Sequence, residues 1–194
     1  MKDVLAKTAL EAAPLLLGCE LVRTTTAGDI QLKIVETEAY HQDDPASHTY
    51  RGLTKRTAPM FMPGGHLYVY FTYGMHYCVN IVTGQEGIGE AVLLRAGEPL
   101  EGMELMRNNR GIQNMLQLAN GPGKLTQALG IKDINLSGQK LGKNSLQLLP
   151  PRTAISTDEI IASPRIGIRN ATEVPWRFYL KGNRFVSKYQ KTVQ

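Results

Sequence analysis

The sequence predicts an α+β fold: a curved, mostly antiparallel sheet with flanking helices and a protruding β-hairpin. Three observations point there. Residues 65–73 and 77–82 are rich in β-branched and aromatic side chains and are parted by a short break at Gly74, the pattern of two strands joined by a tight turn. Residues 30–35 alternate, residues 90–96 are apolar for most of their length, and residues 176–180 form a late aromatic run, so strand-length segments recur along the chain. Helical signals are confined to short stretches near Thr8, Pro99 and Gly121. With 194 residues the chain fits a single compact domain, 1–194, long enough to bury a core.

The first helix is announced by the capping box Thr8-Ala9-Leu10-Glu11, in which hydroxyl and carboxylate satisfy opposite free amides. Leu5, Ala9, Ala12 and Leu16 share a face. Pro14 either kinks the helix or opens a second one, and Gly18 suits its end. A strand begins at Leu21, and residues 27–29 turn the chain. Ile30, Leu32 and Ile34 then alternate with Gln31, Lys33 and Val35. Continued, that alternation places Glu36, Glu38 and Tyr40 on the face of Ile30, Leu32 and Ile34. An acid at the end of an apolar strand face is costly unless partnered or used. A partly desolvated carboxylate there suits a general base. The alternative is a strand that ends at Glu36 and leaves both glutamates in water.

Residues 41–63 form a long polar connection holding His41, Asp43, Asp44, His48, Arg51, Lys55 and Arg56. No helix fixes its His and Asp residues at a ligand spacing, so no metal is expected. Arg51, Lys55 and Arg56 make a basic cluster that suits phosphates, or equally a solvated loop. The hairpin tip carries Tyr73, Met75 and His76, bulky groups able to wedge between stacked bases; packing in a core is the other use of such aromatics. In the run 90–96, Arg95 shares parity with Ala91 and Leu93, so its guanidinium needs a carboxylate, and Glu38 is the natural partner. Pro99 suits the first position of the next helix, with Leu100, Met103 and Met106 as its buried stripe. Residues 120–124 read as a glycine-rich turn into a short helix, a place that can hold phosphate but not a Walker loop. Residues 131–151 read as loop, 165–169 and 176–180 as strands, and 190–194 as a frayed tail.

Formal net charge is +5, which permits a polyanionic partner without requiring one. No apolar run approaches 18 residues, so no membrane span is expected, and the N-terminus lacks the apolar core of a signal peptide. Cys19 and Cys78 are too few and too unpatterned for a disulfide framework or a zinc site. A cytoplasmic location, nucleoid-associated in a bacterium, is the expectation that follows.

The ordered set Val35-Glu36-Thr37-Glu38-Ala39-Tyr40, Ser47-His48, Met60-Phe61, Leu67-Tyr68-Val69-Tyr70, Tyr73-Gly74-Met75, Cys78-Val79-Asn80 and Leu93-Leu94-Arg95-Ala96 resembles the alkyladenine, or 3-methyladenine, DNA glycosylase family of the human type. Glu98-Pro99-Leu100-Glu101-Gly102, Gly121-Pro122-Gly123-Lys124-Leu125, Arg165-Ile166-Gly167-Ile168 and Arg177-Phe178-Tyr179 continue it in order. Each motif is modest alone; the ordered set is specific and spans nearly the whole chain. The resemblance implies a fold like the C-terminal domain of methionyl-tRNA formyltransferase. It also implies a monofunctional enzyme that flips alkylated or deaminated purines out of duplex DNA and hydrolyses the N-glycosidic bond.

Residue by residue, the resemblance makes Glu38 the base that activates water and Arg95 the group that positions water and carboxylate. Tyr40, His48 and Tyr70 would stack around the flipped base, and Asn80 would crowd the exocyclic amino group of normal guanine. Tyr73 would fill the gap left in the duplex. Arg56 lies where the family places a phosphate contact, and a backbone carbonyl within 166–168 would help hold the water; apart from the resemblance, Arg51, Lys55 and Met75 are further candidate contacts to the DNA backbone. No cofactor, no lyase step and no obligate protein partner are implied, and the resemblance suggests a monomer. Two other classes stay open: a non-catalytic nucleic-acid binding domain of related fold, and a hydrolase of free nucleosides.

Overall fold

The longest strand organises the sheet. In the computed structural model, which describes residues 1–72 and 74–188, β1 (Glu20–Thr25) turns into β2 (Gly28–Tyr40). They are followed by β3 (Leu67–Thr72), β4 (His76–Val82), β5 (Ala91–Glu101), β6 (Leu146–Leu149), β7 (Ile160–Ser163) and β8 (Arg177–Leu180). The order across the sheet is β3-β4-β5-β2-β1-β6, and β8 joins β2 while also pairing with β7. The pairings are antiparallel. β2 keeps β5 along one edge. On the other it pairs with β1 over its first half and with β8 at Glu36, Thr37 and Glu38.

Among the described residues, four short α-helices flank the sheet: α1 (Lys2–Leu5), α2 (Ala9–Leu15), α3 (Met103–Arg110) and α4 (Pro122–Ala128). The Thr8–Glu11 capping box opens α2 as the sequence predicts, and Pro14 lies inside the helix rather than breaking it. α2 packs on β2, α4 on β4 and β5, and α3 on α4. Ala12, Ala13, Leu16, Ile34, Val35, Leu94 and Leu125 meet in the main core, where removal of apolar area from water supplies the driving force. Among the described residues no helix is long and apolar enough to cross a membrane.

The predicted hairpin is present, and its strands pair from Leu67–Ile81 to Thr72–His76. It starts at Leu67 rather than at Gly65, whose φ of 98° is left-handed and does not fit a strand. Gly74 also takes a left-handed φ, 66°, in the turn. Phe71 and Met75 are exposed near the tip. Tyr73 and the tail at 190–194 lie outside the described residues.

Four expectations are corrected. First, the simple alternation along β2 does not hold. Between the pairs Ile34–Gly97 and Glu36–Ala96, β2 carries one extra residue, Val35; between Glu36–Ala96 and Thr37–Leu94, β5 carries one, Arg95. Such bulges re-aim side chains. Ile34 and Val35 both enter the core, so Val35, Thr37 and Ala39 take over the helix-covered side, with Thr37 Oγ1 donating to the Ala13 carbonyl at 2.9 Å. Glu36, Glu38 and Tyr40 therefore lie opposite Ile30, Leu32 and Ile34. Neither glutamate is solvated: β2 runs on through both, and both are fully buried.

Second, Pro99 lies in β5, opposite Leu32 beside a register shift. β4 leaves β5 after Leu93, so Pro99 occupies a free edge where a missing N–H costs nothing. The helix starts at Met103, and of the predicted stripe only Met106 is buried. Third, the stretch 131–151 contains β6, whose four residues pair with β1. Fourth, residues 165–169 are a bend and not a strand, with Gly167 at φ 76°.

Candidate active site

The bulged meeting of β2 and β5 places two acids and a base under one cavity. Arg95 Nε donates to Glu36 Oε1 at 3.1 Å, and Arg95 Nη1 lies 3.2 Å from Glu38 Oε1. The pairing of Glu38 with Arg95 expected from the sequence is thus present. Glu38 also accepts the Ile166 N–H on Oε1 and the Tyr40 hydroxyl on Oε2, both at 2.8 Å. A buried carboxylate is tolerable only with such a set of donors. Burial pushes the Arg95 guanidinium toward losing its proton, but Glu38 and Glu36 outweigh it and hold the group firmly charged.

Above this floor lies a cavity of about 390 Å³, lined by Glu38, Tyr40, His48, Tyr68, Tyr70, Asn80 and Arg95, with residues 166–170 and Pro122 closing other sides. All five of the base-pocket and catalytic residues expected beside Glu38 (Tyr40, His48, Tyr70, Asn80 and Arg95) are brought together there. The walls are aromatic. Tyr68 and Tyr70 stack with ring centres 5.3 Å apart, and His48 meets Tyr70 edge-on at 4.6 Å. His48 Nδ1 is 2.9 Å from the Tyr68 hydroxyl. Burial and then the Arg56 charge push the His48 imidazole down to about 4. Burial, and after it the Glu38 charge, raises the Tyr40 phenol well above its ordinary range, and burial does the same for Tyr70. Both rings therefore stay neutral. Asn80 Nδ2 donates to the Tyr68 carbonyl at 3.0 Å, which fixes its amide against the wall.

The basic loop divides. The Arg56 guanidinium lies over Tyr70, 5.5 Å from the ring centre, and so reaches the pocket rim. Arg51 and Lys55 are exposed on the same loop without lining the cavity. Met75 is 70% exposed at the hairpin tip.

Several groups escaped the sequence reading. Tyr68 is one, although its i, i+2 spacing from Tyr70 in a strand was a usable signal. Glu36 is another: besides Arg95 it accepts Arg177 Nε at 2.6 Å, Ser187 Oγ at 2.7 Å and Ser187 N–H at 2.8 Å. Burial pushes the Glu36 carboxyl up, but Arg95, Arg177 and Ser187 together hold it below the usual carboxylate range. Asp44 pairs with Arg165 through both carboxylate oxygens, and Arg165 also donates to the Ala39 carbonyl. Its guanidinium lies over Tyr40 and over Trp176, 4.7 and 5.2 Å from the ring centres. From the segment 166–168, the Ile166 amide donates to Glu38. Among the described residues, no group of three or more His, Cys, Asp and Glu is placed to hold a metal ion.

Comparison with known proteins places the chain in a family. The model of the methylpurine-DNA glycosylase family matches residues 3–184. A protein of Methanoculleus marisnigri is 53% identical over 178 residues, which cover 89% of this chain and 90% of its own. One from Carboxydothermus hydrogenoformans is 49% identical over 183 residues, 94% of this chain and 95% of its own. A third, from Rhodopseudomonas palustris, is 47% identical over 186 residues, 94% and 87% of the two chains. All three are provisionally named 3-methyladenine DNA glycosylases. The chain with this aromatic cavity over a buried glutamate therefore belongs to the methylpurine-DNA glycosylase family, and by that membership is a DNA glycosylase.

Proposed function

We propose that this protein excises damaged purines from duplex DNA, taking 3-methyladenine, 7-methylguanine, hypoxanthine and etheno-adenine as its candidate substrates. One observation carries the reading: Glu38, fully buried and held by Arg95, Tyr40 and the Ile166 amide, lies at the floor of a cavity walled by neutral aromatic rings. A base inside the duplex is out of reach, so it is extruded into the cavity, at a cost of roughly a few kcal/mol that is smallest for a damaged base. Tyr40, His48 and Tyr70 form the slot, and electron-poor alkylated purines stack well on such rings. Asn80, pinned to the wall, crowds the exocyclic amino group of normal guanine. Tyr73, two positions before the exposed tip residue Met75 in the sequence, is assigned to fill the vacated stack. Arg51, Lys55 and Arg56 meet phosphates.

In the chemical step the C1′–N9 bond breaks and its electron pair leaves with the base. The water oxygen bonds to C1′, and the water's proton passes to Glu38. The Glu38 charge also favours the oxocarbenium-like sugar, while Arg95 fixes the carboxylate's direction. A cationic methylated purine leaves as a neutral base; a neutral one such as hypoxanthine needs a proton first. No lysine lines the cavity among the described residues, which favours plain hydrolysis over a Schiff-base step. A purely binding domain has no use for a desolvated carboxylate facing a polyanion.

The test is Glu38→Gln. Incubated with methylated duplex DNA, the variant is expected to release no purine by chromatography while keeping its affinity for the duplex within a few-fold. Release at the rate of the unmodified protein would remove Glu38 from the role of base.

A further inference from the structure

Beneath the cavity lies a second carboxylate that the reaction outlined above does not use. Glu36 is fully buried, does not line the cavity, and collects four donors: Arg95 Nε, Arg177 Nε, and the Oγ and N–H of Ser187. Ser187 falls beyond the segment that the family model matches. Arg177 is fixed in turn by Nη1 donating to Ser163 Oγ at 2.9 Å and by lying 4.5 Å over the Tyr179 ring. The cluster balances two carboxylates, Glu36 and Glu38, against two guanidiniums, Arg95 and Arg177.

Arg95 is the extra residue of its bulge, so the ladder does not hold its backbone as it holds its neighbours'. Its planar guanidinium turns as one piece. Anchoring Nε on Glu36 therefore sets the direction in which Nη1 meets Glu38. We propose that Glu36 is a positioning residue for base excision: it fixes the Arg95 plane, and through it the Glu38 carboxylate, and shares with Arg177 the charge that keeps the cluster balanced. This rests on Glu38 being the reacting base.

The test compares single-turnover base release, at saturating enzyme on methylated duplex, with the dissociation constant for the same DNA. Three variants are measured: Glu36→Gln, Glu36→Asp and the double variant Glu36→Met/Arg177→Met. Gln keeps the shape and loses the charge; Asp keeps the charge and loses length. A side chain that merely fills space ranks Gln above Asp, and a charged anchor ranks Asp above Gln. The Met pair replaces a buried ion pair by apolar groups, an exchange that folded proteins tolerate, and leaves Arg95 with Glu38 alone. Gln and the Met pair are expected to slow release by roughly 10–100-fold, the scale of a small misplacement of reacting groups, with the dissociation constant within about threefold. Should Glu36→Gln not fold, the Met pair decides.

Release at the unmodified rate in a folded Gln variant or in the Met pair overturns the proposal, as does Gln outperforming Asp. If the unmodified protein itself releases no base, or Glu38→Gln releases it normally, the excision reading falls first.

Discussion

At the residue scale, His48 shows how the proposed pocket would receive a positively charged guest. Its ring is tied to the Tyr68 hydroxyl, and burial with the Arg56 charge brings its proton affinity down to about 4 from an ordinary 6.5. A neutral imidazole at pH 7 adds no repulsion against an alkylated, cationic purine. The consequence for stability has a definite sign. Between pH 6.5 and about 4 the unfolded chain takes up a proton that the folded ring refuses. The contribution of the neutral ring is therefore complete above pH 6.5 and is lost as the pH falls through about 4. Imidazole carbon shifts followed by NMR are expected to show His48 titrating well below the ordinary imidazole value; a midpoint at that value would mean a freely hydrated ring. The sequence made the Glu38–Arg95 pair legible because a guanidinium within an apolar strand needs a carboxylate, although the parity read along β2 did not hold. It concealed Glu36, because Arg177 and Ser187 come from 141 and 151 positions downstream, and no local pattern encodes such a meeting.

At the scale of elements, the site is held by a latch between two irregular segments. The loop after β2 contributes Asp44 and the bend after β7 contributes Arg165, both nearly sealed from water. The next residue, Ile166, gives its amide to Glu38. Asp44→Ala leaves a buried guanidinium without its partner, and urea unfolding is expected to show a loss of about 3–5 kcal/mol. A loss below about 1 kcal/mol would place the pair among solvated ones. Regular elements were the legible part of the fold: the Thr8 capping box, the hairpin and the β5 strand all follow from local chemistry. The failures were local signals overruled by pairing. Pro99 carries the mark of a helix start, yet a free strand edge accepts it equally well. The bulge at Val35 reverses the facing of β2, and within β2 no glycine or proline beside it announces the change.

Across the whole molecule, the formal charge of +5 acts through its placement. Arg51, Lys55 and Arg56 are exposed on the loop whose Arg56 overhangs the cavity rim. Binding to undamaged duplex is expected to weaken as salt rises, in a straight line on logarithmic axes. Replacing all three by alanine should flatten that slope by about 3, roughly one unit for each phosphate no longer neutralised. Fluorescence anisotropy at several salt concentrations measures it, and an unchanged slope would remove the loop from the DNA face.

Ser187 supplies two of the four donors to Glu36, from 151 positions further along the chain. During translation, then, the strands that carry Glu36 and Arg95 are made well before the group that completes their set of partners. A polypeptide cut short ahead of this serine would leave the sealed Glu36 carboxylate with two of its four donors, so the last stretch of chain should be needed to steady the floor under the cavity.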